Sequence, residues 1–404
     1  MKAMNNKIEN MPIKPFAFIN DQLEQRKSQH LYRSSVPING KQSRYIDVNG
    51  KQYLNFSSND YLGLASDPAL VNAWKKGADL FGIGSGGSYL VTGYNQVHRD
   101  VTQQLQEWLG VESIALFSSG YSANQAIIKL LLSKNDLLIQ DKLNHASLME
   151  AGANSPVKMQ RFKHNNMQHL QTILSANAEI DNKLVISEGV FSMDGDCAPI
   201  DSLQQQCQSH QAWLMIDDAH GLGVLGKEGT GSVSAQNINN NDIDIYMSTF
   251  GKALGIGGAF VSGSSQLIDY ITNFSKPYIY TTGLPPAMVY CIGESARIVQ
   301  TQQWRRDHLS ELIAYFKLLA MKFELPLMPS NTAIQPILIG SSDTAITISQ
   351  TLKKSGIWTT AIRPPTVPNN TARLRVTLTV NHQKQDIEFL VKQIKQAIDA
   401  NLDQ

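Results

Sequence analysis

Five short apolar runs recur through the first two thirds of the chain, each ending in polar or glycine-rich residues. They are SIALFSS from Ser113, DLLIQD from Asp136, KLVISEGVF from Lys183, WLMIDDAH from Trp213 and IDIYMSTF from Ile243. Runs this short and this apolar suit parallel strands buried on both faces, where helices cover the sheet above and below. Helical patterns such as QVHRDVTQQLQEWLG and YSANQAIIKLLLS lie between them. The alternation predicts an α/β layered domain with a mostly parallel sheet. Ligands in such sheets bind outside the carboxyl ends of the strands. The chemistry is therefore expected at ISEGVFSMDG, MIDDAHG and STFGKALG.

The flanks read differently. Residues 1–50 form an arm, with helical spacing in FAFINDQLEQRKSQHLYR and a hairpin in RYIDVNGKQYLNF turning at Asn49-Gly50. After Pro285-Pro286 come long helical patterns, the strand-like AIQPILIG, IWTTAIR and ARLRVTLT, and a final helix. The predicted division is an arm over 1–50, a large domain over 51–285 and a smaller α+β domain over 286–404. A chain of 404 residues, 42% of them hydrophobic, fills more than one core. Lys+Arg 35 against Asp+Glu 34 leaves no electrostatic footprint for nucleic acid or an anionic membrane. No apolar run approaches the roughly 20 residues that span a bilayer, and MKAMNNKIENMP is polar where a signal peptide is apolar. A cytoplasmic protein is expected. Cys197, Cys207 and Cys291 make no metal-ligand pattern and read as reduced thiols, so no metal is expected.

Two glycine patterns imitate a dinucleotide fingerprint. Gly82, Gly84 and Gly87 follow a helical stretch where the motif demands a strand, and Gly221, Gly223 and Gly226 lack the following helix. The informative set is Asp217, His220 and Lys252. Singly, such residues are helix caps or solvated charges. Together they provide an amine able to form a Schiff base and a carboxylate able to pair a pyridinium nitrogen, the needs of a pyridoxal cofactor. SSGYSANQAIIK places Gly120 and Tyr121 at the start of an apolar helix, where backbone amides can face a phosphate. Thr249 is a candidate hydroxyl partner for the same phosphate, and His145 in DKLNHASL can either stack on a ring or cap the helix that follows.

NFSSNDYLGLASDP, GIGSGGS, LFSSGYSANQAI, DKLNHASL, EGVFSMDGD, IDDAHGLGVLG, STFGKALG and YIYTTGLPPA stand in the order seen in the α-oxoamine synthase family, which this chain resembles over about residues 50–290. The resemblance implies a fold-type I pyridoxal-phosphate-dependent transferase, similar to aspartate aminotransferase in architecture. It also implies a homodimer whose subunits share their active sites, joining an amino acid to an acyl thioester with loss of carbon dioxide. Carried over position by position, Lys252 bears the pyridoxal 5′-phosphate, Asp217 pairs its ring nitrogen and His145 stacks on the ring. His220 and Ser192 hydrogen-bond the cofactor, while Gly120, Tyr121 and Thr249 hold its phosphate with Thr281 or Thr282 from the other subunit. Arg375 grips the amino acid's carboxylate. Arg33, Arg363 and Thr366 are implied substrate contacts, and AIRPPTVP is similar to the branch that uses L-alanine with pimeloyl-CoA or pimeloyl-acyl-carrier protein. Glycine or serine with another acyl group remains the alternative within the family, and an aminotransferase the alternative outside it. The stretch Tyr89-Leu90-Val91-Thr92 departs from the basic or His-containing segment common there.

Overall fold

The computed structural model describes residues 15–29 and 31–402; residues 1–14 and His30 of the expected arm lie outside the described residues. Strands β1 (Tyr45–Val48) and β2 (Lys51–Asn55) form the expected hairpin. A seven-stranded sheet follows, built from β3 (Ser113–Phe117), β4 (Leu137–Asp141), β5 (Lys158–Phe162), β6 (Lys183–Glu188), β7 (Trp213–Asp217), β8 (Ile245–Thr249) and β9 (Ala259–Gly263). Its order is β3-β9-β8-β7-β6-β4-β5. The remaining strands, β10 (Ile334–Gly340), β11 (Ile357–Trp358), β12 (Thr360–Ile362) and β13 (Ala372–Thr377), lie in the C-terminal part.

All five apolar runs are strands, and every residue of β4 and β6 is buried. Parallel pairing holds along β5-β4-β6-β7-β8. Two strands escaped the reading: β5 (KMQRF) is an edge strand with polar residues, and β9 (AFVSG) is a five-residue segment emerging from a glycine-rich loop. β9 also changes the pairing, since it runs antiparallel to both β3 and β8. β3 therefore lacks the parallel neighbour expected for it. The loop 250–258 between these antiparallel neighbours is closed by Phe250 N–H donating to Gly258 O at 2.9 Å, and it carries Lys252 on a short tether.

The hairpin turns at Asn49 (φ 54°) and Gly50 (φ 77°), both left-handed as a two-residue type I′ turn requires. β2 then pairs in parallel with β11, Leu54 opposite Ile357, so the hairpin completes a small sheet with the C-terminal part and leaves the arm. The long helical pattern after Pro286 forms Pro286–Thr301 and Gln303–Lys322; a further helix, Ser342–Lys354, was not anticipated. β10, β13 and β12 form an antiparallel sheet that presents Arg373 and Arg375.

One loop, 189–198, stitches these parts together. Gly189 N–H donates to Asp217 O at 2.8 Å, Arg375 Nε donates to Ser192 O at 2.7 Å, and Arg373 pairs with Asp194. The hydroxyls of Ser330 and Thr332 both donate to Gly195 O at 2.9 Å. Gly195 stands at φ 71°, and a Cβ there would come within 2.3 Å of Ile334 O, so no larger residue fits.

The loop is held from the other side by His164, whose Nε2 meets Asp196 at 2.7 Å and whose Nδ1 meets Asp141 at 3.0 Å. Burial alone would lower this imidazole, but the two carboxylate hydrogen bonds outweigh it and push it up to about 9. A base raised above its unfolded value of roughly 6.5 contributes stability that is fully present below that pH and is lost as pH rises through the folded value. The wild type is therefore expected to hold a higher urea midpoint than His164→Gln at pH 6. That margin should shrink between pH 7 and 9, and a margin constant across this range would remove the charged His164 from the account.

Candidate active site

The carboxyl ends of the central strands meet in one cavity of about 200 Å³. Its lining includes Gly120, Tyr121, His145, Asp217, His220, Thr249 and Lys252, all seven singled out from the sequence. Asn124, Ser147, Glu188, Ala219 and Met247 complete it.

Asp217 ends β7 at 5% exposure. One of its oxygens accepts Asn124 Nδ2 at 2.8 Å, the other the amide of Ala219 at 3.1 Å. Asn124 Nδ2 also donates to Ser147 Oγ (2.9 Å), which meets His145 Nδ1 at 2.8 Å. His145 additionally accepts the Ser147 amide, so it caps the helix Ala146–Ala153 as expected for one of its two readings, and it also lines the cavity. Asn124 could not be told from an ordinary helix residue by sequence, because its significance depends on Asp217 arriving opposite it.

The β6–β7 register sets Glu188 beside Asp217. Glu188 is 3% exposed and its Oε1 has no hydrogen-bond partner. Burial, reinforced by the neighbouring Asp217 charge, holds its carboxyl well above the ordinary carboxylate range. The shift favours the protonated form of Glu188.

Lys252 Nζ meets His220 Nε2 at 2.9 Å, and His220 Nδ1 meets the buried Tyr61 hydroxyl at 2.7 Å. Burial brings the Lys252 amine down to about 8, against the pull of Asp217 and Glu188. Burial and the charge of Lys252 push His220 well below its ordinary value, so its ring is neutral. An amine so poised is both nucleophile and base near neutral pH.

At the other end of the cavity Ser119 caps the helix Gly120–Leu131 by accepting the Ser122 amide at 3.1 Å. The first-turn amides of Gly120 and Tyr121 meet no helical carbonyl and sit at the positive end of the helix dipole. Thr249 borders Gly120, but its hydroxyl donates to Gly258 O at 2.8 Å and accepts from Gly251 N–H at 3.1 Å, so it must turn to serve an anion.

Seven expected residues stand apart from this lining. Ser192 is buried, with its carbonyl on Arg375. Arg375 directs both terminal nitrogens at Asn59 Oδ1, each at 3.2 Å. Thr281 and Thr282 are exposed, with Thr282 bridged to Ser88. Arg33, Arg363 and Thr366 come together in a second cavity of about 220 Å³ with Arg26 and Thr360. Arg26 was missed because it resembles any solvated charge on a helix. Thr360 is the cross-strand partner of Arg375, which places the second cavity one strand from the carboxylate-gripping candidate. A larger hollow of about 380 Å³, lined by Asp100, Glu294 and Arg297 among others, carries none of this chemistry.

A helix N-terminus for an anion, a buried carboxylate for a basic nitrogen and an amine between them suit a flat, phosphorylated aromatic aldehyde with a ring nitrogen. The buried Asn124 Oδ1 and Glu188 Oε1, both without partners, show that this polar lining is not satisfied within the chain itself. The family model for class I and II aminotransferases matches residues 51–394. The 8-amino-7-oxononanoate synthase of Vibrio vulnificus (strain CMCP6) is 48% identical over 92% of this chain and 94% of its own. That of Vibrio campbellii is 46% identical over 95% and 98%. Among solved structures, a Sphingomonas wittichii serine palmitoyltransferase superposes at a TM-score of 0.90 with 27% identity, covering 96% of this chain and 98% of that one. An 8-amino-7-oxononanoate synthase from Francisella tularensis superposes at 0.77 with 28% identity, covering 87% and 99%. The chain belongs to the class I and II aminotransferase family and, within it, to the family of the 8-amino-7-oxononanoate synthases.

An acid whose folded value is raised destabilises the fold progressively as pH climbs above its unfolded value, near 4.3 for glutamate. Glu188→Gln keeps the shape without the titration. Its urea midpoint is expected to gain on the wild type between pH 4.5 and 7. A variant that instead loses ground over this range would mean that Glu188 is a charged, paired carboxylate.

Proposed function

We propose that this chain condenses L-alanine with a pimeloyl thioester, releasing carbon dioxide and the free thiol and forming 8-amino-7-oxononanoate, with pyridoxal 5′-phosphate in the cavity around Lys252. Sequence likeness favours this reaction over a serine palmitoyltransferase: identity to the 8-amino-7-oxononanoate synthases reaches 48%, against 27% to the serine enzymes whose framework superposes better. The observation that carries the substrate assignment is a pair of cationic seats on neighbouring strands. Arg375 of β13 is one; the cavity containing Arg26, Arg33 and Arg363, beside Thr360 of β12, is the other. Two carboxylates, one on the amino acid and one at the far end of the acyl chain, answer these two seats. A plain fatty acyl chain carries no second carboxylate to place there.

When bound, pyridoxal phosphate supplies an electron sink that acidifies the Cα hydrogen of the amino acid joined to it. The remaining work falls to residues of the chain. Gly120, Tyr121 and Thr249 hold the phosphate, and Asp217 keeps the ring nitrogen protonated. His145 would lie against the ring and His220 would hydrogen-bond the cofactor, while Ser192, outside the lining, would have to approach to do so. Arg375 fixes the alanine carboxylate in a two-pronged grip that orients Cα, and the Lys252 amine removes the Cα proton. The thioester carrier is coenzyme A or an acyl-carrier protein.

The active form is a homodimer. Ile83 (77%), Val91 (78%) and Tyr280 (79%) are large apolar residues in open exposure, and the Ser88–Thr282 bridge joins their two segments. Large apolar side chains this open on two bridged segments fit an interface. Thr281 and Thr282 would reach the second copy's phosphate across it. Mixing Lys252→Ala chains with Thr281→Ala/Thr282→Ala chains should restore cofactor binding at one site of each heterodimer; absence of restoration between folded variants argues against shared sites.

Mass spectrometry of the product from L-alanine and pimeloyl-CoA tests the reaction itself, with 8-amino-7-oxononanoate expected. Arg363→Ala should raise KM for pimeloyl-CoA by about tenfold, the ~1.4 kcal/mol of a charged hydrogen bond, and leave heptanoyl-CoA nearly unchanged. Equal losses on both thioesters would take Arg363 out of the far-carboxylate seat. A preference for serine with long acyl chains would reject the substrate assignment.

A further inference from the structure

A line of close polar contacts leads from Lys252 to Arg375. Lys252 Nζ meets His220 Nε2 at 2.9 Å, and His220 Nδ1 meets Tyr61 Oη at 2.7 Å. Tyr61 Oη lies 3.3 Å from Asn59 Oδ1, which both terminal nitrogens of Arg375 reach at 3.2 Å. We infer that Tyr61 is a positioning residue that selects the tautomer His220 presents to Lys252, and that Asn59 makes this selection depend on whether Arg375 is occupied by a carboxylate.

The argument is a count of protons and lone pairs. The Tyr61 hydroxyl has one proton and two acceptors in reach. In this structure the two lone pairs of Asn59 Oδ1 already receive two guanidinium N–H groups. The Tyr61 proton therefore goes to His220 Nδ1, the nearer acceptor at 2.7 Å. A neutral imidazole with Nδ1 accepting carries its own proton on Nε2, and that N–H faces Lys252. It can donate only to an amine lone pair, so this arrangement favours uncharged Lys252. When a carboxylate draws the guanidinium away, Asn59 Oδ1 is vacated and the Tyr61 proton can turn to it. His220 then carries its proton on Nδ1 and offers a lone pair at Nε2, which favours the ammonium form of Lys252. The two arrangements differ by one proton, taken up from solvent or from substrate carbon. An empty site thus holds Lys252 as a nucleophile, and a filled one makes it a better base.

Other charges also act on this amine. Asp217, Glu188 and Asp218 face Lys252 and raise its basicity, whereas Arg375 lowers it; Lys252, Arg375 and His145 face His220. Removing Arg375 would therefore raise the basicity of Lys252 through charge alone, and the test must separate charge from hydrogen bonding.

The ¹⁵N shifts of His220 do so, measured at pH 9 on the full chain freed of cofactor and assigned with His220→Gln. The wild type should show the Nε2–H tautomer. Arg375→Ala should switch it to Nδ1–H, and Arg375→Ala/Asn59→Ala should switch it back, because Tyr61 again has only His220 to donate to. The single and double variants lose the same charge, so only the hydrogen-bond account distinguishes them. In Tyr61→Phe the tautomer should no longer respond to Arg375→Ala. Acetylation of Lys252 by acetic anhydride, followed by peptide mass spectrometry at pH 8, should run about fivefold slower in Arg375→Ala than in the double variant. An Nδ1–H wild type, or a double variant that stays with the single one, overturns the inference. It rests on reading Arg375 as the carboxylate seat, yet its readouts need no turnover. A chain that makes no 8-amino-7-oxononanoate but switches tautomer as described would fail the proposed reaction and keep the relay.

Discussion

Asp217 stands in the middle of the seven-stranded sheet, with Asn124 on one oxygen and the Ala219 amide on the other. A charge taken from water at this depth costs several kcal/mol unless its lone pairs are met and a cation answers it. Much of the surrounding architecture meets these demands. The register with β6 brings a second carboxyl beside it, and Glu188 responds by keeping its proton. The loop 250–258 brings Lys252 from the neighbouring β8; burial makes its amine easier to deprotonate, and the charge of Asp217 opposes that. Burial is the first cause of both shifts; Asp217 reinforces the one on Glu188 and opposes the one on Lys252.

The second organising element is the loop 189–198, which begins one residue past Glu188. It hydrogen-bonds β7 at Gly189, accepts Arg375 at Ser192, pairs Arg373 at Asp194 and receives two hydroxyls at Gly195. A single segment therefore fixes the distance between the amine on the large sheet and the arginine on the small one. Condensing two substrates requires such a fixed distance, because the amino acid must be held at its carboxylate and attacked at its Cα together. The same segment ties a C-terminal strand to the part of the molecule that carries the cavity around Lys252.

Much of this was legible in the residues alone. The five apolar runs are strands because a sheet covered on both faces tolerates little polarity, and that requirement is written locally. The Asn49-Gly50 turn was legible for the same reason, since few residue pairs accept two left-handed conformations in succession. β5 and β9 were not legible: an edge strand need not be apolar, and a five-residue segment after a glycine-rich loop carries too little periodicity. β9 also reversed the pairing of β3, because strand direction depends on the length of the connection between neighbours and leaves no trace in a strand's own composition.

Seven residues of the cavity lining were legible as candidates because each sits at or within three residues of a strand's end or a helix's start, and the order of the motifs brings those ends to one edge. Asn124, Glu188, Tyr61 and Arg26 were not, since each looks like an ordinary helix, strand or loop residue until its partner arrives from far along the chain. Local sequence determined the elements, the amine, the carboxylate and the helix start, because those depend on residue type and short-range spacing. Tertiary structure alone decided that the Glu188 carboxyl would be pushed above the ordinary carboxylate range and that the hairpin would join the C-terminal sheet. It also decided that Lys252 would be linked through His220, Tyr61 and Asn59 to Arg375, because hydrogen-bond geometry and desolvation are properties of positions in space.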